Sequence, residues 1–185
     1  MKKRIIGAIA AFGVLSGAAS AQVLILGSSL GKDCYEATVV NTEPVAKHER
    51  ICTAAIESQT LNRKNLAASY INRGIIRMRM KHFERAMSDY SYASKLRPQL
   101  GATYLNHGAA MIGAGYPKKA IPELEKALEL KTQDPQIAHY NLGLAHELTG
   151  DITSAYQAFQ TAAELAPDWE LPRVQLERYS VVPSS

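Results

Sequence analysis

The two thiols of the 185-residue chain are Cys34 and Cys52, and a disulfide is the simplest chemistry open to them in an oxidising compartment. Closing the loop between them would stabilise the fold by about 3 kcal/mol. A redox pair usually sits closer in sequence, and a zinc site needs more ligands than two cysteines. His139 and His146, seven residues apart, would share one helix face, but no third metal ligand comes with them. His146-Glu147 continues as Leu148-Thr149-Gly150, so it is not the His-Glu-x-x-His of a zinc hydrolase. No Gly-x-Ser-x-Gly elbow, Walker loop or dinucleotide glycine fingerprint occurs. The expectation is a protein without catalytic residues, metal or cofactor. Arg73, Arg77, Arg79, Lys81 and Arg85 form a basic cluster with two readings. It is either a solvated face whose long stems cover apolar neighbours, or a docking patch for an acidic partner or an anionic envelope polymer.

Composition narrows the class further. With 46% hydrophobic and 21% charged residues the chain is ordinary globular protein, which excludes a collagen, a disordered tail or a disulfide-dense miniprotein. The basic head Lys2-Lys3-Arg4 precedes an uncharged run from Ile5 to Gly31, softened by Gly7, Gly13 and Gly17. Ala19-Ser20-Ala21 is the small-x-small pattern a signal peptidase accepts, with Gln22 as the new N-terminus. The rival is an uncleaved anchor, because Val23-Leu24-Ile25-Leu26 prolongs the apolar stretch. No Leu-x-x-Cys pattern precedes Cys34, which argues against a lipid anchor. Cleavage would lower Lys plus Arg from 21 to 18 against 17 Asp plus Glu, leaving a nearly neutral exported protein without a membrane span. Nucleic acid is then a poor partner, since it needs a clustered cationic surface. The remaining charge is uneven: residues 22–100 hold 12 basic and 7 acidic side chains, residues 101–185 hold 6 and 10.

The elements that position these groups follow from a repeat. Gly74, Gly108 and Gly143 recur at intervals of 34 and 35 residues. Twelve residues after each comes Ala86, Ala120 or Ala155, and nineteen after each comes Ala93, Ala127 or Ala162. Sixteen after each stands a bulky side chain: Tyr90, Leu124, Phe159. Asn72, Asn106 and Asn141 lie two before the glycines, and Pro98 and Pro167 close the first and third units. The small residues let two helices cross closely, the bulky ones fill the space between hairpins, and proline stops the second helix. Apolar positions such as Ile71, Ile75 and Met78 have a helical period.

These columns resemble the tetratricopeptide repeat, a 34-residue helix-turn-helix unit, over residues 67–169. The third unit is closest, with Tyr140-Asn141-Leu142-Gly143 and Ala155, Phe159, Ala162 and Pro167 in place. In the first two units Arg73 and His107 replace the usual Leu before the glycine, and Lys81-His82 replaces the usual Gly-Asp turn. Pro122 falls early in a second helix, just after Pro117, and predicts a late start or a kink there.

The fold expected is all-α: a solenoid of antiparallel helix hairpins. Its parts are a leader (1–21), a flexible N-terminus (22–31), a degenerate disulfide-stapled hairpin (32–65), three repeats (66–168), and a capping helix with a frayed tail (169–185). The resemblance implies a concave face built by the first helices, used to hold peptides or partner helices. Ile71, Ile75, Met78, Leu105, Ala109, Ile112, Tyr140 and Leu144 would line it, with Glu147 as the one charged position. The rival is that the face closes on itself or is filled by the terminal helix. The resemblance also implies that Asn72, Asn106 and Asn141 can bond a bound peptide's backbone; bonding within the repeat is the alternative. Ile71, Ile75, Ile137 and Asn141 stand where one subfamily carries its carboxylate clamp, so chaperone tails are not expected as ligands. The function read from this is a non-catalytic, exported scaffold for a protein or peptide in the cell envelope. A self-assembling oligomer and an accessory domain binding anionic polymer are the alternatives.

Overall fold

The computed structural model describes residues 3–7, 29–39 and 45–183. Nine helices build it among the described residues: α1 (Ser29–Val39), α2 (Val45–Glu57), α3 (Arg63–Arg79), α4 (Phe83–Leu96), α5 (Gly101–Gly113), α6 (Pro117–Glu129), α7 (Pro135–Leu148), α8 (Ile152–Leu165) and α9 (Glu170–Leu176). They pair as antiparallel hairpins, α1 with α2, α3 with α4, α5 with α6 and α7 with α8, and α9 covers the last hairpin. The substantial helix–helix packing runs between helices adjacent or next but one in the chain, as a single-file solenoid requires.

Each repeat closes its internal turn in the same way. The second residue after the first helix is left-handed: Lys81 (φ 58°), Gly115 (φ 81°), Gly150 (φ 84°). The next amide reaches back five residues: His82 N–H donates to the Arg77 carbonyl, Tyr116 to Met111, and Asp151 to His146, all at 2.8–2.9 Å. This is the glycine-ended helix stop, in which carbonyls left free by the last turn are satisfied by the chain leaving it. Lys81 holds the same geometry with a side chain that disfavours it.

The glycine column has the steric reason expected of it. A Cβ built on Gly74 would lie 2.5 Å from Tyr90 Cε1, on Gly108 2.6 Å from Leu124 Cγ, and on Gly143 2.6 Å from Phe159 Cδ1. Tyr90, Leu124, Phe159 and the alanines twelve and nineteen after each glycine are all buried. The core is therefore a string of clusters along the solenoid. It begins at Cys34, Cys52, Ala55 and Ile76 and ends where Tyr140, Phe159 and Tyr179 meet Trp169.

The starts of α3, α6, α7 and α8 are set by side-chain caps or proline. Asn62 Oδ1 accepts the Asn65 amide at 2.9 Å and Asp151 Oδ1 accepts the Ser154 amide at 3.1 Å. Pro117 and Pro135 occupy the first turns of α6 and α7, where a missing N–H is harmless. The late start expected for α6 is corrected: the helix begins at Pro117 and runs through Pro122. Pro122 and Lys118 are both exposed, so water can satisfy the carbonyl that Pro122 leaves without a donor.

The end hairpin spans α1 and α2 and carries the Cys34–Cys52 disulfide. Of the expected leader only Lys3–Gly7 is described; the rest, with the junction after Ala21, lies outside the described residues. Lys3–Gly7 forms a strand, β1, antiparallel to β2 (Tyr179–Pro183), with Ile5 opposite Val181. The tail expected to fray from Val181 is thus extended and paired through Pro183.

Two outcomes are expected in thermal unfolding. Gly143→Ala forces a methyl into the Phe159 ring and should lower stability by about 1–3 kcal/mol, with Phe159→Leu in the same chain recovering part of the loss. Lys81→Gly relieves a left-handed residue and should raise stability by up to about 1 kcal/mol.

Candidate partner-binding face

The first helices of the repeats, α3, α5 and α7, bring the expected lining residues onto neighbouring surfaces, but mostly inside them. Ile71, Ile75, Leu105, Ala109, Ile112 and Tyr140 are buried, while Met78 and Leu144 are partly accessible. Ile71 and Ile75 belong to a core cluster with Ala110 and Leu100, on and beside α5. Leu105 and Ile112 pack with Ile137, Ala138 and Leu142 of α7. Of the open and closed forms of this face, the structure has a largely closed seam between successive first helices. Ile71 and Ile75 of α3, and Leu105 and Ile112 of α5, pack one hairpin against the next, which is how each unit of a solenoid is stabilised.

At the C-terminal end the face is filled by the chain itself. The Tyr140 ring lies 5.0 Å from the Trp169 ring and 5.5 Å from Phe159, centroid to centroid. Arg178 grips Glu147 with both terminal nitrogens, at 2.7 and 3.3 Å, and also donates to Gln175 Oε1. Glu147, the one charged position of the lining, is therefore neutralised from within. Burial raises the pKa of the Tyr140 and Tyr179 hydroxyls, so both stay protonated at neutral pH.

The asparagine column is buried on the same helices as the Ser69 and Thr103 hydroxyls, which are also buried without a partner among the described residues. Asn72 is 0% exposed and Asn141 1% exposed, yet among the described residues neither the amide oxygen nor the nitrogen of either side chain has a hydrogen-bond partner. Asn106, also buried, does take part in an interaction. Two buried amides without partners at equivalent positions are unusual, since such groups are nearly always hydrogen-bonded.

The basic cluster is likewise corrected, because four of its five cations are already engaged. Arg73 Nε and Nη2 donate to the two carboxylate oxygens of Asp89 at 3.1 and 2.8 Å, and Nη1 donates to Thr53 Oγ1 at 3.1 Å. Arg77 Nη1 donates to Asp89 Oδ2 at 2.7 Å and Nε to Glu49 Oε1 at 2.8 Å. Arg85 pairs with Glu49 at 3.0 Å, and Arg79 Nη2 donates to the Thr38 carbonyl at the end of α1 at 2.6 Å. Lys81, in the left-handed backbone of the turn, makes no ion pair among the described residues. The arginines are thus mortar between the end hairpin and the first repeat. Burial opposes ionisation of both carboxylates. It keeps the Asp89 pKa above the ordinary carboxylate value, whereas at Glu49 the Arg77 and Arg85 guanidiniums outweigh it and lower the pKa.

One signal in the sequence could have revealed this network. Arg73 and Asp89 are sixteen residues apart, the interval that joins each glycine to its bulky partner. His107 and Glu123 repeat the pair in the second unit, Nδ1 to Oε2 at 3.1 Å. In the third unit the equivalent positions are Leu142 and Ala158. The residues that replace Leu before the glycine thus come with a carboxylate on the facing helix. Sequence reading also missed Arg63, Lys64, Lys95 and Arg97, which cluster where α3 begins and α4 ends.

His146 Nδ1 lies 3.7 Å from Asp151 Oδ2 at the last turn, and burial lowers the pKa of His139. Among the described residues no three His, Cys, Asp or Glu side chains gather as a metal-holding group. No helix among them is long and apolar enough to cross a membrane.

Comparison with known proteins places the fold. Residues 136–169, the third hairpin, match the family described as "Tetratricopeptide repeat". No curated protein matches the chain significantly in sequence. Among solved structures, "MamA 41-end from Desulfovibrio magneticus RS-1" superposes with a TM-score of 0.65 at 20% identity, covering 80% of this chain and 82% of that one. The TPR protein TTC0263 of Thermus thermophilus gives 0.58 at 20% identity, covering 80% and 78%. A crystal structure of MamA gives 0.61 at 16% identity, covering 74% and 82%. The architecture is a tetratricopeptide-like solenoid, a fold that is typically non-catalytic.

The buried ion network makes a graded prediction. Asp89→Ala leaves the Arg73 guanidinium without an anion and Arg77 with Glu49 alone, and should cost about 3–5 kcal/mol in chemical denaturation. Arg85→Ala, at a side chain 57% exposed, should cost about 1 kcal/mol or less. Similar losses at both positions would contradict the network.

Proposed function

We propose that the protein is a non-catalytic scaffold that holds a segment of another protein along the face of α3, α5 and α7. The observation that carries this reading is the pair Asn72 and Asn141, whose buried amides, at equivalent places on that face, have no partner among the described residues. An amide donates and accepts, so it suits the backbone of a peptide and reads its presence rather than its sequence. The engaged segment would part the closed seam, and at the last repeat it would displace Trp169 and Arg178 from Tyr140 and Glu147. Met78 and Leu144 are the accessible points where such a segment first touches the face.

The same reading places the work outside the cytoplasm, in the cell envelope or beyond. Support comes from the basic head, the uncharged run and the Ala19-Ser20-Ala21 junction, together with the Cys34–Cys52 bond, which persists in oxidising compartments.

Both parts are testable in producing cells. A photo-crosslinking residue at Met78 or Leu144 should capture one discrete polypeptide, and Asn72→Ala with Asn141→Ala should abolish the capture while leaving the melting temperature nearly unchanged. Capture that survives both substitutions contradicts the asparagine role. A marked loss of stability shows instead that the amides serve the fold. Intact mass should show loss of residues 1–21 and no free thiol; a chain retaining its leader or both thiols contradicts export with cleavage.

A further inference from the structure

Antiparallel hairpins give the solenoid two long edges. Along one of them the even-numbered helices end and the odd-numbered helices begin. At its N-terminal end this edge carries Arg63 and Lys64 in the first turn of α3, and Lys95 and Arg97 at the end of α4. Arg63 Nε donates to the Leu96 carbonyl at 2.7 Å and fixes the two ends against each other. Arg63, Lys64 and Arg97 share the rim of one open hollow with Pro98 and Gln99. None of the four cations ion-pairs among the described residues, and Glu57, at the end of α2 on the same edge, pairs with none of them. The arrangement is costly, since α3 begins with two cations where a helix favours anions.

The far end of the same edge is its electrical opposite. Glu164 stands at the end of α8, Asp168 in the following turn and Glu170 at the start of α9, all exposed. None of the three ion-pairs among the described residues, and Arg173, three residues past Glu170, reaches none of them. Between the ends the charges alternate and cancel, with Lys126 bound to Glu129 at 2.9 Å and Lys131 beside them. Two repeats separate the clusters, on the order of 20 Å for helices packed 8–10 Å apart. That exceeds the Debye length of about 8 Å in physiological salt, so neither cluster neutralises the other within one molecule.

We propose that this edge is a docking surface for a second copy of the chain, laid alongside in the opposite direction. A two-fold axis then sets Arg63, Lys64, Lys95 and Arg97 of each copy against Glu164, Asp168 and Glu170 of the other. Both clusters lie on one edge, so the pairing closes as a dimer rather than growing end to end. The edge is formed by helix ends and turns, not by the face of α3, α5 and α7. Dimerisation therefore stands or falls independently of peptide binding.

The test is the mass of the full chain in solution, measured across concentration at low and high salt. Dimers at about 50 mM salt should shift toward monomer at about 500 mM, as screening predicts. Lys64→Glu with Arg97→Glu, and separately Glu164→Lys with Asp168→Lys, should each weaken self-association by about tenfold or more. Arg63 is left unchanged because it holds α4. An equimolar mixture of the two variants should restore a dimer, because one edge is then net anionic, with Arg63 and Lys95 its remaining cations, and the other net cationic, with Glu170 its remaining anion. A chain that stays monomeric at low salt and high concentration, or a dimer indifferent to both reversals, overturns the proposal. So does a mixture that fails to associate when both variants melt like the unaltered chain.

Discussion

Two helices of a hairpin can cross closely only where one of them has nothing to put between them. Gly74, Gly108 and Gly143 supply that gap, and Tyr90, Leu124 and Phe159 fill it so tightly that a single methyl would collide. The contact fixes the rotation of one helix against its partner, and with it which side chains face the next hairpin. Repeating the contact at almost constant spacing repeats that geometry, so the hairpins stack in register. The seam of Ile71, Ile75, Leu105 and Ile112 exists because the close crossing aims those residues at their neighbours.

A stack of this kind is weakest at its ends, where a hairpin has one neighbour instead of two. The two ends are secured by different chemistry. At the N-terminal end a covalent bond joins α1 to α2. Asp89 and Glu49 then tie that hairpin to the first repeat through Arg73, Arg77 and Arg85. At the C-terminal end the means are aromatic, with Trp169 and Tyr179 closing over Tyr140, Phe159 and Tyr156. The price of using charge inside the first end is that its buried members, Asp89, Arg73, Arg77 and Glu49, cannot be removed singly without leaving a partner charge uncompensated.

Much of this was legible in the residues because steric columns survive as identities: a glycine, an alanine and a bulky partner at fixed offsets name their own contact. The turn after each first helix was legible at Gly150 and obscured at Lys81, which adopts the same left-handed backbone without the residue type that announces it. The charged cluster was misread because a run of arginines says nothing about where its carboxylates are. Asp89 becomes their partner only once α4 folds back on α3. The apolar face was left with two readings, open or closed, for a related reason. Position along a helix tells which side chains point inward, but whether the next hairpin covers them depends on how closely the array packs.

The account rests on stability being handed from each hairpin to its neighbour, with the glycine crossings as the local anchor. Native-state hydrogen exchange, followed helix by helix before and after reduction of Cys34–Cys52, tests this most directly. The account predicts the strongest protection in α4 to α7, a fall toward both ends, and on reduction a loss concentrated in α1 and α2 that leaves α7 and α8 unchanged. Uniform protection that collapses in one step along the whole chain, or α1 and α2 outlasting α5 and α6, would contradict it.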